Sequence, residues 1–265
     1  MKDLQLSQIW IYPIKSLGGI PLTSAKVMEK GLQNDRRFML VGDDGLFMTQ
    51  RIYPKMALFK TSLSGDNVVI RFGADQIELP LHPTVAGDER SVQVWDDTVT
   101  ATEAAGAFHQ WFSDRLDLNC KLMFFPEGNP RPVDPKYKVN DEHVGFADAY
   151  PFLIIGQCSL DDLNSRLKEP LPMNRFRPNF VFTGGEAFEE DNWRNFTIGS
   201  NRFVGVKPCA RCVLTTVNQD TAVKGAEPLR TLATYRNKNN KILFGQNLVA
   251  LDHTQVQVGD RIILQ

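Results

Sequence analysis

Over its first hundred residues the chain breaks into short apolar runs separated by turn residues, with little that is helical. That punctuation restricts the fold to one built from small antiparallel strands. Leu4, Leu6, Ile9 and Ile11 are spread along a first strand, and residues 36–41 and 46–49 flank Asp44-Gly45, a strong hairpin signal. Residues 56–63, 68–72 and 76–79 continue the series, with Gly65-Asp66-Asn67 as a further turn. The pattern predicts a β-meander or barrel.

The first helical periodicity spans residues 103–116, where Phe108, Trp111, Phe112 and Leu116 share one face. An apolar strand over 120–125 follows, then the irregular stretch Pro126-Glu127-Gly128-Asn129-Pro130-Arg131-Pro132. A chain of 265 residues exceeds a typical single domain. We place the boundary just before that strand, giving domains 1–118 and 119–265. The second half is mixed but β-rich: helices are expected over 159–167, capped by Ser159, and over 227–236, with strands at 179–183, 202–206, 213–217, 248–252, 256–258 and 261–264. The expected fold class is therefore mixed and β-rich, an N-terminal β-barrel-like domain plus a C-terminal β-barrel with peripheral helices.

Charge and cysteine content exclude several functions. With 30 basic and 31 acidic residues the chain has no field that argues for a nucleic acid polymer or an anionic membrane, so any anion site must be local. Four cysteines in this length do not make a disulfide framework, and the only early apolar run, Ile9-Trp10-Ile11, is too short for a signal peptide or a membrane span. A reduced, cytoplasmic setting is the expectation.

The motif that carries chemistry is Pro208-Cys209-Ala210-Arg211-Cys212, running into Val213-Leu214-Thr215-Thr216-Val217. A dithiol redox site opens a helix, whereas the residues after Cys212 are β-branched and predict a strand. A structural zinc site needs four ligands, and there is no second cysteine pair, while His82, His109, His143 and His253 stand far apart. A pair of inert core cysteines fits poorly beside Lys207 and Arg211. What remains is a single thiolate offered to a soft metal whose other ligands come from a cofactor.

Three further segments occur in fixed order around this motif: Asn174-Arg175-Phe176-Arg177-Pro178-Asn179 and Glu189-Glu190-Asp191-Asn192-Trp193 before it, and Phe244-Gly245-Gln246-Asn247 after it. Together with it they resemble the signature of the MOSC domain, named after the C-terminal region of molybdenum cofactor sulfurases. Tyr12-Pro13-Ile14-Lys15-Ser16, Gly31-Leu32 and Asp35-Arg36-Arg37-Phe38 resemble the MOSC N-terminal β-barrel domain. Within that superfamily the chain is most similar to two-domain reductases of N-hydroxylated compounds, the mitochondrial amidoxime-reducing component and bacterial 6-hydroxylaminopurine reductases.

The resemblance implies a molybdenum cofactor (Mo-molybdopterin) with Cys212 as metal ligand and catalytic residue, and Cys209 as a neighbour. It implies cofactor contacts from Lys15, Ser16, Arg36, Asp148, Arg177, Ala210, Arg211 and Asn247, a set suited to phosphate because Arg forks onto its oxygens while Lys and a hydroxyl make point contacts. Arg211 would also help to keep the cysteine as thiolate. Ala149 and Tyr150 depart from the family, which commonly has small hydroxyl residues there. The implied activity is reduction of small N-hydroxylated substrates, with electrons from a separate flavin, haem or ferredoxin-type protein. No intrinsic iron–sulfur cluster or pyridoxal phosphate site is expected. The alternative is a cofactor or sulfur carrier using a Cys212 persulfide.

Read without the resemblance, the supporting residues have plainer meanings. Lys15-Ser16 before Gly18-Gly19 reads as a solvated turn; Arg175 and Arg177 alternate along an expected strand, facing solvent or pairing with acids; Glu189-Glu190-Asp191 reads as a solvated helix start. Trp193 is expected to be packed.

Overall fold

The computed structural model describes residues 3–83 and 87–265. Its first strand, Gln5–Ile11, shows how the apolar pattern is put to use. Leu6 and Ile9 are three apart and would face opposite ways along a regular strand. A register shift between Leu6 and Gln8 against the strand Phe180–Thr183 inserts one residue, so that Leu6, Ile9 and Ile11 are all buried.

This strand joins the largest sheet, whose spatial order is Ile262–Leu264, Asn195–Ile198, Asn201–Ala210, Lys241–Ala250, Phe152–Gly156, Phe180–Thr183, Gln5–Ile11 and Ile20–Leu22. All neighbours along this order are antiparallel except Phe152–Gly156 with Phe180–Thr183. The sheet thus takes strands from both ends of the chain. Stacked Phe152 and Phe180, 5.7 Å apart, meet Phe203 edge-on at 5.6 Å and fill its inner face.

A second sheet runs Phe38–Val41, Lys121–Phe124, Asp97–Glu103, Glu89–Val94. All four residues of Phe38–Val41 are buried because the strand divides two cores: Phe38 and Leu40 face the main one, Met39 and Val41 a smaller one with Val94, Met123 and Phe146. Lys60–Ser64, Asn67–Phe72 and Asp75–Pro80 form a meander, and Gln255–Gln257 pairs with Ser24–Met28. The helix Gly106–Leu116 packs Phe112 against Phe59 at 5.3 Å and ends where Asp117 turns left-handed. The β-rich fold class is as expected.

Several local expectations are corrected. Residues 54–58 form a 3-10 turn started by Pro54, and the strand begins only at Lys60. The run after Cys212 is not a strand: the strand Asn201–Ala210 precedes the thiols and Val213–Thr216 is a 3-10 turn. Its threonines bond back to the chain, Thr215 Oγ1 to Cys212 O at 2.9 Å and Thr216 Oγ1 to Val213 O at 2.7 Å, which satisfies carbonyls that a strand would have paired. Arg175 closes the 3-10 turn Met173–Arg175 and is buried, its Nε donating to Thr215 O at 3.0 Å.

Ser159 caps nothing. It lies inside the helix Gln157–Ser165, where its hydroxyl donates to Glu190 at 2.9 Å and accepts from Phe188 N–H at 2.8 Å. Glu190 is fully buried rather than solvated, in the 3-10 turn Glu189–Asn192, and accepts from Gly156 N–H at 3.1 Å. Trp193 is packed, 4 % exposed.

Burial pushes the Glu190 carboxyl up to about 7, outweighing the hydrogen bonds from Gly156 and Ser159. The native state therefore holds a proton that the unfolded chain releases near the ordinary glutamate value. Stability from this group is complete below that value, declines as pH rises and levels off above about 7. Chemical denaturation of the parent and Glu190→Gln from pH 4.5 to 8 should show their stability difference shifting by about 3 kcal/mol toward the variant as pH rises.

Candidate functional site

Loops from several parts of the chain meet beside the central strands Asn201–Ala210, Lys241–Ala250 and Phe152–Gly156 of the large sheet. Lys15 and Ser16 follow Gln5–Ile11, with Lys15 N–H donating to Phe38 O at 2.8 Å. Arg36 is fixed through its own backbone, its N–H donating to Tyr12 O at 2.9 Å and its carbonyl accepting from Phe146 N–H at 2.8 Å. The cysteines are aimed by two register shifts of Asn201–Ala210 against Lys241–Ala250, one between Gly205 and Lys207 and one between Pro208 and Ala210. Such bulges bend a strand and redirect its side chains.

The result is a cavity of about 810 Å³ lined by all nine residues that the sequence singled out: Lys15, Ser16, Arg36, Asp148, Arg177, Ala210, Arg211, Cys212 and Asn247. Arg177 and Leu17, 160 positions apart in the chain, are in direct contact, the guanidinium donating to the Leu17 carbonyl at 2.6 Å. Ala149 and Tyr150 also line it, whereas His143 is not among the lining residues and pairs instead with Glu29 at 2.5 Å.

Ten non-glycine residues have positive φ among the described residues, and four of them, Ser16, Arg36, Trp95 and Arg177, line this cavity. Side chains rarely adopt that conformation without a surrounding structure that imposes it, and such positions gather at binding sites. Here Tyr12 imposes part of it. Its ring lies between the Arg36 and Arg177 guanidinium groups, each 4.2 Å from the ring centre. Arg36 also pairs with Asp35 and donates to Arg177 O at 3.1 Å. Burial pushes Arg177 down to about 10, which leaves it charged at neutral pH.

Lys15 donates to Phe146 O at 2.7 Å and to Asp148 Oδ1 at 2.5 Å. Burial pushes its ammonium down to about 8, with Asp148 pulling the other way. Asp148 is half-exposed to the cavity, and although burial would raise its carboxyl, Lys15 and Arg51 hold it well below the usual carboxylate range. Asn247 is oriented by a bond from its Nδ2 to Lys207 O at 3.0 Å.

The partners of the two sulfurs differ from expectation. Arg211 serves Cys209, its Nη1 donating to that sulfur at 3.0 Å, while its Nη2 donates to Phe176 O at 2.6 Å. The cation on Cys212 is Arg51, whose Nε donates to Sγ at 3.1 Å and whose Nη2 donates to Asp148 at 2.8 Å. Burial acts to lower the Arg51 guanidinium, but Asp148 and Cys212 raise it on balance. Arg51 lies 4.2 Å over the Trp95 ring, and its carbonyl accepts from Lys224 Nζ at 2.6 Å.

Sequence reasoning missed Arg51, Trp95 and Arg131. Arg131 holds the loop that carries Asp148, donating to Gly145 O at 2.7 Å, Ala147 O at 2.6 Å and Asp148 O at 3.2 Å. The one available signal was Trp95-Asp96 between two strand-like runs, a bulky residue where a hairpin turn favours Gly or Asn.

The lining carries seven cationic side chains against four carboxylates. Arg211 Nε is buried with no hydrogen-bond partner among the described residues, a donor left for something else in the cavity. Among the described residues no group of three or more His, Cys, Asp or Glu side chains could hold a metal ion. Chemically the site offers two soft sulfurs, Cys209 and Cys212, a surplus of positive charge and several N–H donors. Fold and site together define a class: β-rich proteins with a large cavity lined by a cysteine pair and a ring of cations.

The comparisons give that class a family. A model of the MOSC N-terminal beta barrel domain matches residues 3–119 and a model of the MOSC domain matches residues 141–263. The chain is 31% identical to mitochondrial amidoxime-reducing component 1 of Homo sapiens, across 98% of this chain and 82% of that protein. It is 32% identical to mitochondrial amidoxime reducing component 2 of Bos taurus across 87% and 72%. It is also 30% identical to the molybdenum cofactor sulfurase of Arabidopsis thaliana, across 91% of this chain but 32% of that protein. The chain belongs to the family of MOSC proteins with an N-terminal MOSC β-barrel domain. Among the described residues no helix is long and apolar enough to cross a membrane.

Proposed function

We propose that this protein is an oxidoreductase that holds a molybdenum cofactor at Cys212 and reduces small N-hydroxylated compounds, hydroxylaminopurines and amidoximes, with electrons from a separate donor protein. The observation that carries the reading is the Cys212 sulfur, in a cavity with a cationic surplus, held by Arg51 Nε at 3.1 Å. When bound, the cofactor supplies the two-electron reduction in which two electrons and two protons turn N–OH into N–H and water. The amidoxime-reducing names of the relatives support the substrate class.

The residues fit such a group by their chemistry. Cys212 offers the soft ligand that molybdenum prefers, and since no protein cage exists among the described residues, the remaining ligands would come from the cofactor. Lys15, Ser16, Arg36 and Arg177 would hold the phosphate, drawing on both proposed domains, 1–118 and 119–265. Asp148, Ala210, Arg211 and Asn247 would contact the pterin, with the unpartnered Arg211 Nε as one donor. Burial raises the Tyr150 phenol well above its ordinary value, so it stays protonated on the cavity wall as a donor to substrate.

The test is molybdenum and pterin content of the purified protein, followed by an assay with 6-hydroxylaminopurine or benzamidoxime and reduced viologen. We expect about one molybdenum and one pterin per chain and consumption of both substrates. A protein that binds cofactor without turnover would instead be a carrier, and one that contains neither metal nor pterin would refute the reading altogether.

A further inference from the structure

Trp95 is the least expected residue in the cavity. Val94 pairs with Asp97, so Trp95 and Asp96 form a two-residue hairpin turn between Glu89–Val94 and Asp97–Glu103, and Trp95 takes its first position with φ 58°. Such a turn favours Gly, Asn or Asp at that position, and a bulky side chain there is strained. The indole is also 40 % exposed. Packing therefore does not account for its presence.

Its orientation is nonetheless fixed from two directions. The Arg51 guanidinium lies 4.2 Å from the ring centre, and Phe47 leans on it with ring centres 5.0 Å apart. Arg51 in turn reaches Cys212 Sγ at 3.1 Å, so the indole stands one side chain away from the sulfur. A rigid, partly open aromatic surface beside a reactive centre is suited to stacking flat rings, because every aromatic base presents a π-face.

We infer that Trp95 is a specificity-determining residue, a stacking platform that selects planar heteroaromatic substrates over compact aliphatic ones. This rests on the reductase reading for turnover but not for binding. An aliphatic N–OH compound reaches the same centre without using the platform. A flat base gains the stack, worth about tenfold in affinity, within the range of base-on-aromatic contacts.

The experiment compares kcat/KM for 6-hydroxylaminopurine and acetamidoxime in the cofactor-loaded parent, Trp95→Leu and Trp95→Phe, and measures adenine binding to the same proteins by calorimetry. The expected result is a ratio of the two kcat/KM values that falls about tenfold in Trp95→Leu and returns most of the way in Trp95→Phe, with adenine affinity moving in parallel. Loss of both activities in equal proportion, or loss of bound cofactor with no change in that ratio, would make Trp95 a support for Arg51 and overturn the inference. If no protein turns over either substrate while adenine binding still weakens in Trp95→Leu and recovers in Trp95→Phe, the platform stands and the reductase reading falls. Turnover with an unchanged ratio gives the reverse.

Discussion

Cys212→Ala should eliminate molybdenum-dependent reduction, by more than about a hundredfold per chain, while Cys209→Ala keeps a substantial part of it. Changes in the shell around a metal commonly cost 10- to 100-fold, and removal of the proposed protein ligand should cost more. The two thiols are inequivalent in the structure before any metal is considered. Cys212 receives Arg51 Nε, which also ties that sulfur to Asp148, whereas Cys209 receives Arg211 Nη1 and lies outside that network. Metal content and viologen-coupled turnover of both variants, with folding checked by thermal melting, decide the matter. Equal activity in Cys212→Ala and the parent at matched cofactor loading would remove Cys212 from the metal.

How much of this could be read from the sequence depended on whether a residue announces itself locally. Of the nine cavity residues, Ala210, Arg211 and Cys212 sit in a run whose composition is unusual in the linear chain, whereas Lys15, Ser16, Arg36, Asp148, Arg177 and Asn247 stand out only through the resemblance of their motifs to the family. The strand pattern gave the β-rich class because alternating burial repeats over short distances. Arg51 has no such motif. Its role exists only because the turn after the Asp44-Gly45 hairpin carries it across to a sulfur 161 positions away.

The errors have equally local causes. Val213–Thr216 has strand composition, but hydroxyls that bond back to Cys212 O and Val213 O turn it into a 3-10 element. Arg175 and Arg177 alternate like strand residues, yet Arg175 is drawn to the carbonyl of Thr215 and Arg177 is held left-handed over Tyr12. Glu190 reads as a surface charge until Ser159 and Gly156 enclose it. In each case a tertiary partner overrides propensity.

Arg51 is where the second large effect is expected. Arg51→Ala should lower activity per chain by about 10- to 100-fold, the range found when a group supporting a metal ligand is removed. The variant leaves the Cys212 sulfur without its N–H donor and leaves Asp148 with Lys15 as its remaining cationic partner. Arg51→Lys separates charge from geometry. A lysine restores a positive charge, but one ammonium cannot reproduce two parallel donors from a planar fork, one to sulfur and one to carboxylate, nor stack on Trp95 in the same way. If the fork is what matters, Arg51→Lys should resemble Arg51→Ala in both metal content and turnover per bound metal. If charge alone matters, Arg51→Lys should recover most of the parent values. Measuring content and turnover separately shows whether Arg51 acts by retaining the cofactor or by setting the direction in which the Cys212 sulfur is presented.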